Sequence, residues 1–276
     1  MNYVNEIAEV ISNDKIAKNI YKVRLKAPKI TDLSEVGQFV NILPDSNWEK
    51  AMRRPMSIAE KNKKENCIEL IYKVFGEGTQ LMNDWIRGDK IDIIGPLGNG
   101  WDVSNIIDGD KLPVLMGGGV GIAPIMSLYQ YIANYKKNAL LIMGARNFDE
   151  HFLNHKINEL VVLSTDDGSL GVKGNVIDAL EHAIDKIDEI NLNQIEIFCC
   201  GPPMMMESVK KYSDLNNIDC QVALETIMAC GFGICQGCTV EYDNDEDSGH
   251  SYRSRFGLVC LDGPVFNAKN IKTCKL

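Results

Sequence analysis

The stretch KLPVLMGGGVGIAPIMSLYQYIANYKK (Lys111–Lys137) reads as a short buried strand, a glycine-rich turn and a helix. Its apolar run stops at Gly117, and four glycines fall within Gly117–Gly121. Helical spacing of apolar residues then begins, with Pro124 in a first-turn position where its missing N–H costs nothing. A tight turn needs fewer glycines than this. The run therefore reads as a phosphate-facing turn between strand and helix, although it lacks the G-x-G-x-x-G spacing of the Rossmann fingerprint. The pattern continues downstream. NALLIMGAR (138–146) reads as a strand, DEHFLNHKINEL (149–160) as a helix, VVLSTDDG (161–168) as a strand and NVIDALEHAIDKI (175–187) as a helix. QIEIFCCGPP (194–203) is a further strand and MMMESVKKYSDL (204–215) a further helix. Strands alternating with helices predict a parallel sheet covered on both faces, with ligands bound at the strand ends. CCGPPMMM (199–206) and STDDGSLG (164–171) are two such ends. Asp166 and Asp167 read either as ribose-binding residues or as turn residues.

Upstream the pattern changes. YKVRLKAP (21–28), GQFVNILP (37–44), CIELIYKVFGEG (67–78) and DKIDIIGPLGNG (89–100) are short strands closed by Pro28, Pro44 and glycines. Such spacing predicts an antiparallel barrel or sandwich. One helix is expected over GTQLMNDWIRG (78–88), from Thr79 to just before Gly88. Its start, with Gly76 and Gly78, suits a pyrophosphate, and Arg54 of RRPMSIAE (53–60) is a fitting countercharge. RRPMSIAE also reads as an edge strand with a charged end.

Downstream, DCQVALE (219–225) is strand-like and ETIMACGFGICQGCTV (225–240) crowds Cys230, Cys235 and Cys238 together. With Cys260 they form a C-x4-C-x2-C…C set, the plant-type [2Fe–2S] spacing. Gly231, Gly233 and Gly237 would let the loop curl in left-handed conformations. Zinc is the competing reading, but structural zinc sites favour two C-x2-C knuckles and only one is present. A thioredoxin-like role for Cys235 and Cys238 lacks the required strand-to-helix context. Cys67, Cys199, Cys200 and Cys220 read as small core residues, and Cys274 as a free thiol in the tail. EYDNDEDSGHSYRSR (241–255) reads as an exposed loop.

Length and charge narrow the rest. A chain of 276 residues exceeds a single small core. Three regions are expected: a β domain over 1–105, an α/β domain over 106–217 and a cluster domain over 218–276. Net charge of −9 disfavours nucleic acid. With no apparent signal peptide or apolar span, a cytoplasmic, membrane-free protein is expected. In a reducing compartment nine cysteines favour metal over disulfides.

RPMS, GEGT, GPLGNG, GGGVGIAP and CGPPMM, in this order, resemble the ferredoxin–NADP reductase family, in which an FAD-binding barrel precedes an NAD(P)-binding α/β domain. With ACGFGICQGC…CLDGPVF, nearly the whole chain resembles the electron-transfer subunits of dihydroorotate dehydrogenase B. The resemblance implies that Arg54, Pro55, Met56 and Ser57 hold FAD, with Arg54 on the pyrophosphate and Ser57 near the isoalloxazine. Ile71, Tyr72 and Lys73 would line its ribityl and phosphate portion, and Gly78 and Thr79 its pyrophosphate. Gly118, Gly119 and Gly201 would face the nicotinamide nucleotide. Cys230, Cys235, Cys238 and Cys260 would ligate the cluster. It further implies a partner subunit carrying FMN that oxidises dihydroorotate in pyrimidine (UMP) biosynthesis, in a heterotetramer of two plus two. Single electrons would pass through [2Fe–2S] to FAD, and a hydride to NAD+, so no catalytic triad or carboxylate pair is needed. Arg146 is a candidate for an NADP 2′-phosphate or a surface residue, and the resemblance favours NAD. Twenty-one residues separate Cys238 from Cys260, more than the resemblance leads one to expect. The surplus is assigned to Asp243–His250. The competing readings are a self-contained NAD(P)H–acceptor reductase, the equivalent subunit of another flavoprotein complex, and a metal-stapled binding module with a vestigial nucleotide fold.

Overall fold

The computed structural model describes residues 2–45, 52–187, 191–243 and 251–276. Its N-terminal part is a closed antiparallel barrel of six strands. These are β1 (Val4–Ala17), β2 (Ile20–Lys26), β3 (Phe39–Leu43), β4 (Arg54–Asn62), β5 (Cys67–Lys73) and β6 (Lys90–Leu97), in the order β1-β2-β5-β4-β3-β6. Pairing of β1 with β6, from Val4 opposite Gly95 to Glu9 opposite Lys90, closes the ring and removes every free edge. Alternate residues such as Val23, Leu25, Leu70 and Tyr72 fill the interior.

Three details depart from expectation. The strand β1 carries no clean alternation, because register shifts at Val10/Ser12 and Lys15/Ala17 break its two-residue period. Pro28 does end β2, but it also opens a short helix, α1 (Pro28–Leu33), whose free Lys29 and Ile30 N–H groups donate to the Glu6 carboxylate (3.2 and 3.0 Å). The helix expected over 78–88 is shorter, α2 (Glu77–Asn83). Asn13 Nδ2 takes the carbonyl of Met82 (2.9 Å), and the chain turns away to bury Trp85, whose Nε1 donates to the Pro44 carbonyl (3.1 Å).

After the short helix α3 (Ser104–Ile107) comes the α/β region: β7 (Leu112–Gly118), α4 (Ile122–Asn134), β8 (Leu140–Ala145), β9 (Val161–Thr165), β10 (Val172–Lys173), α5 (Val176–Lys186), β11 (Ile195–Cys200), α6 (Pro203–Leu215) and β12 (Asp219–Ala223). Near-continuous apolar strands are buried on both faces, with α4 on one side and α5 and α6 on the other. No α-helix forms over 149–160. Two 3-10 turns, Phe148–Glu150 and Ile157–Glu159, flank an irregular strap. Its histidines bond β9 instead: a His151 ring nitrogen meets the Ser164 carbonyl (3.0 Å), and His155 Nδ1 accepts from Leu163 N–H (3.1 Å). Tertiary hydrogen bonds thus override a helical periodicity.

Beyond this come β13 (Thr239–Glu241), α7 (Tyr252–Arg255), β14 (Phe256–Leu258) and β15 (Val265–Asn267). The large sheet has the order β10-β9-β8-β7-β11-β12-β15, parallel except for β15. The expected boundary after residue 217 therefore falls inside one continuous sheet, to which the C-terminal region adds its last strand. Within the expected loop 241–255, residues 252–255 are helical, and the acidic stretch lies outside the described residues except for Asp243. Cys67, Cys199, Cys200 and Cys220 are buried, as expected of core residues. Cys274 is buried too, 1% exposed, so it belongs to the core and not to a loose tail. Among the described residues no helix is long and apolar enough to cross a membrane.

Candidate cofactor cavities and thiol pairs

Two cavities meet between the barrel and the sheet. The first, of about 490 Å3, is walled by β4 and β5 of the barrel and by the chain leaving β12. Pro55, Met56, Ser57, Ile71, Tyr72, Lys73 and Thr79 all line it, together with Phe39, Phe75, Glu225 and Met228. The strand period explains how β5 contributes. Ile71 and Lys73 point outward to the cleft, while the Tyr72 side chain lies in the barrel core with its hydroxyl donating to Asn13 Oδ1 (2.9 Å). Burial pushes the Tyr72 phenol up to about 12.

Arg54 and Gly78 do not line the cavity themselves; each is the chain neighbour of a residue that does, Pro55 and Thr79. The Arg54 guanidinium lies against Gly78 so closely that a Cβ at 78 would collide with it. It donates to the carbonyls of Met52 (2.7 Å) and Arg53 (3.2 Å). Thr79 Oγ1 accepts from the N–H groups of Phe75 (3.1 Å) and Gly76 (3.2 Å), which pins the turn beside the arginine. A guanidinium held over a glycine turn, next to a largely apolar slot, fits a pyrophosphate joined to a flat ring system. The residues present therefore suit FAD.

The second cavity, of about 580 Å3, sits at the carboxyl ends of the parallel strands. Gly118, Gly119 and Gly201 line it, with Arg146, Asp166 and Glu225. It lies where the strand order reverses, between β7 and β11, the usual ligand crevice of an open α/β sheet. The two glycine turns pack backbone to backbone. A Cβ at Gly121 would lie 2.5 Å from the carbonyl oxygen of Cys200, so only glycine fits there. Glu150 lines this cavity and ties the barrel to the sheet region: Lys73 of the barrel (2.9 Å) and Arg146 of the sheet (2.7 Å) both reach its Oε1. Burial works against the Glu150 charge, but these two cations hold its pKa below the usual carboxylate value. Asp167 caps its own turn through Ser169 N–H (2.9 Å), whereas Asp166 faces the cavity.

Glu225 is the residue that sequence reading left unassigned. It follows the last parallel strand and lines both cavities. The open cleft leaves the residue in contact with solvent. Partial desolvation by the cleft walls raises its pKa. Its position at a strand's carboxyl end was the signal available.

The chain from Leu224 to Met228 walls the flavin-sized cavity and then enters the cysteine loop. There Asn41 Nδ2 of β3 donates to the Cys230 carbonyl (2.9 Å). On the other side, Asn99 of the barrel binds the carbonyls of Leu261 (3.2 Å), Asp262 (3.0 Å) and Gly263 (2.6 Å). Among the described residues no three metal-ligating side chains converge on one point, as a single ion would require. The four thiols form two pairs instead. Cys230 and Cys235 sulfurs are 3.4 Å apart, and those of Cys238 and Cys260 are 3.2 Å apart. Each spacing approaches the roughly 3.8 Å expected of two thiolates on one tetrahedral metal with bonds of about 2.3 Å. Two separate pairs suit two irons better than one zinc.

The surroundings favour a thiolate at one member of each pair, Cys230 and Cys238. Burial opposes ionisation of Cys230, but N–H groups of Cys235, Phe232 and Ile234 bring it down to about 7. The Cys260 thiol and nearby N–H groups lower Cys238 to about 6, while sharing a proton with Cys238 raises Cys260. The loop curls through Gly231 (φ 82°), Gly233 (φ 87°) and Gln236 (φ 55°). Gly237, expected to be left-handed, is not, and its neighbour Gln236 takes that conformation instead.

The comparisons agree with this geometry in order and extent. Residues 7–101 match an oxidoreductase FAD-binding domain, 115–211 an oxidoreductase NAD-binding domain, and 225–272 the iron–sulfur cluster binding domain of dihydroorotate dehydrogenase B. A Fusobacterium nucleatum protein, "Dihydroorotate dehydrogenase B (NAD(+)), electron transfer subunit", is 34% identical over 97% of this chain and 98% of its own. A Streptococcus mutans protein of the same description is 33% identical over the same shares. Among solved structures, the NADH-dependent reduced ferredoxin–NADP oxidoreductase superposes with a TM-score of 0.81 at 26% identity, over 98% of this chain and 91% of that one. A ferredoxin–NADP+ reductase from Neisseria gonorrhoeae, at 16% identity and a TM-score of 0.63, covers 78% of this chain and 91% of its own and shares the fold. Barrel, sheet and thiol pairs coincide in turn with the three matched domains, and the chain belongs to the family of dihydroorotate dehydrogenase B electron-transfer subunits.

Proposed function

We propose that this chain moves electrons between an FMN-containing, dihydroorotate-oxidising catalytic subunit and NAD+, in an assembly of two copies of each. The observation that carries this reading is the single segment Leu224–Cys230, which walls the flavin-sized cavity and runs directly into the first thiol pair. Flavin and cluster, when bound, supply the exchange between a two-electron hydride and single electrons. The protein's residues bind and orient. Arg54 would neutralise the pyrophosphate, with Gly78 and Thr79 beside it. Pro55, Met56 and Ser57 would hold the isoalloxazine, and Ile71 and Lys73 the chain between, with Tyr72 supporting them from the barrel core. Gly118, Gly119 and Gly201 would admit the nicotinamide nucleotide closely. Cys230, Cys235, Cys238 and Cys260 would ligate the cluster.

NAD is favoured over NADP. Arg146 is engaged by Glu150, and Asp166 stands in the same cavity, so a 2′-phosphate would meet two carboxylates. The partner is expected on the face carrying Cys235. Ile227 and Ile234 are exposed there, and Tyr3 stacks on Phe232 at 5.6 Å. Apolar side chains around a redox centre suit a protein surface.

An anaerobic visible spectrum with iron and flavin analysis tests the cofactors. Flavin and two irons per chain are expected, and a colourless protein would refute the reading. With the partner present, Cys235→Ser should abolish electron transfer from dihydroorotate to NAD+. Full transfer by that variant would remove the cluster from the path.

A further inference from the structure

We propose that Asn41 is a positioning residue for the cluster and sets its potential relative to that of the flavin. The inference rests on the cluster reading of the four thiols. Strand β3 alternates as its period requires. Val40 and Ile42 lie in the barrel core, while Phe39 and Asn41 face outward to the C-terminal region. Phe39 lines the flavin-sized cavity, and so does Pro55, the residue opposite Asn41 on β4. The Asn41 side chain reaches the cysteine loop, where Nδ2 donates to the Cys230 carbonyl (2.9 Å). One short segment of β3 therefore borders the cavity and holds the first thiol pair. Its backbone is fixed as well: Arg53 donates to the Asn41 carbonyl (3.2 Å) and to the Asp92 carboxylate (2.8 Å). Asn41 is 0% exposed, yet its Oδ1 has no hydrogen-bond partner among the described residues. An apolar side chain of similar size would avoid that desolvation cost, so packing does not account for an amide here. The Nδ2 donor does.

The effect of that donor follows from its place. It fixes the Cys230 carbonyl immediately before Gly231, whose left-handed backbone (φ 82°) turns the loop. The turn brings the Cys235 N–H to the Cys230 sulfur (3.4 Å). A Cβ at Gly231 would lie 2.7 Å from Nδ2, so amide and turn are in contact. The hydrogen-bearing, positive end of the amide dipole therefore points at the loop. A cluster that takes up one electron gains a negative charge, and nearby donors favour that reduced state. Asn41 raises the cluster's potential directly, through its dipole, and indirectly, by holding an N–H group on Cys230.

The test uses the full chain with both cofactors bound. It measures flavin and iron content and two reduction midpoints, the cluster's by electron paramagnetic resonance and the flavin's by visible absorption. Asn41→Leu removes the donor and nearly keeps the volume. Asn41→Asp keeps the shape and puts an acceptor in the donor's place. Both variants should retain FAD and iron. In Asn41→Leu the one-electron equilibrium between flavin and cluster should shift about tenfold toward the flavin, equivalent to about 59 mV at the cluster. Asn41→Asp should shift it further, and the flavin midpoint should stay at its wild-type value in both. If one variant fails to load iron, the other decides. An unchanged cluster midpoint overturns the inference. Equal falls in the cluster and flavin midpoints also overturn it, because the change would then lie in the barrel as a whole. Loss of iron from both variants overturns it as well, since Asn41 would then serve assembly and not potential. A wild-type chain that binds flavin but no iron refutes the cluster reading itself, and the inference with it.

Discussion

Cys230 and Cys235 lie five positions apart in the chain, at the surface, while Cys238 and Cys260 lie twenty-two apart, in the interior. Both pairs bring two sulfurs to similar separations, by different means. The outer pair is made by a short loop whose left-handed residues turn the chain back on itself. The inner pair is made by the β13–β14 hairpin, where Thr239 opposes Leu258 and the Val259 N–H donates to the Cys238 carbonyl (2.8 Å). A second clamp, Asp262 Oδ2 accepting from the Leu258 N–H (2.6 Å), sets the turn that carries Cys260. Identical ligand chemistry thus rests once on local backbone conformation and once on tertiary packing.

That contrast predicts unlike costs for one substitution. Cys260→Ser and Cys235→Ser should both lose iron and the cluster's visible absorption. Cys260→Ser should also lower the thermal midpoint of the iron-free chain, because a hydroxyl in place of a fully buried thiol is costlier to desolvate, by about 1–3 kcal/mol. Cys235→Ser should leave that midpoint unchanged. Equal shifts in the two iron-free variants would remove the distinction between a local and a packed pair.

A second substitution sharpens the local half. At Gly231, φ is +82° and a Cβ would lie 2.7 Å from Asn41 Nδ2, against the bond that ties the loop to the barrel. Gly231→Ala should cost about 1–3 kcal/mol and reduce iron loading. At Gly237 a Cβ meets only Cys235 Sγ, at 3.8 Å, and φ is not left-handed. Gly237→Ala should load iron normally. Thermal unfolding and iron content of the two variants, measured side by side, decide whether conformation or glycine content matters.

The smallest effect concerns the strap beside the nucleotide cavity. His151 Nδ1 is buried without a hydrogen-bond partner, and burial lowers the pKa of the ring from its ordinary 6.5. The unfolded chain therefore takes up the proton first. This contribution to stability is complete above about pH 6.5 and declines as pH falls through and below that value. The wild-type thermal midpoint should fall between pH 7 and pH 5 more steeply than that of His151→Asn. Parallel slopes would show that the buried imidazole does not titrate in this range.

Much of this was legible beforehand, for reasons the particular residues show. Gly117–Gly121 and Cys200–Pro202 announced a ligand turn because strand, glycines and helix are adjacent in the chain. RPMS and GEGT marked the first cavity for the same reason, and both segments do border it. The strand β1 stayed hidden, since bulges at Ile11 and Ile16 spoil its alternation. The segment 149–160 misled, because His151 and His155 bond a strand that follows them and their spacing imitates a helix. Glu225 carried no motif. It borders both cavities, a relation between distant parts of the chain.

The amino-acid sequence by itself determined the alternation of strands and helices, the glycine turns, and a loop able to gather three thiols. Each depends on residues a few positions apart, whose backbone preferences act before the chain packs. Tertiary structure alone decided that β15 would complete the sheet, that Cys260 would meet Cys238, that Glu150 would bind Lys73 across the domains, and that one wall would serve both a cavity and a thiol pair. Those outcomes require long loops to close and apolar faces to bury together, and the free energy for that comes from contacts between distant segments.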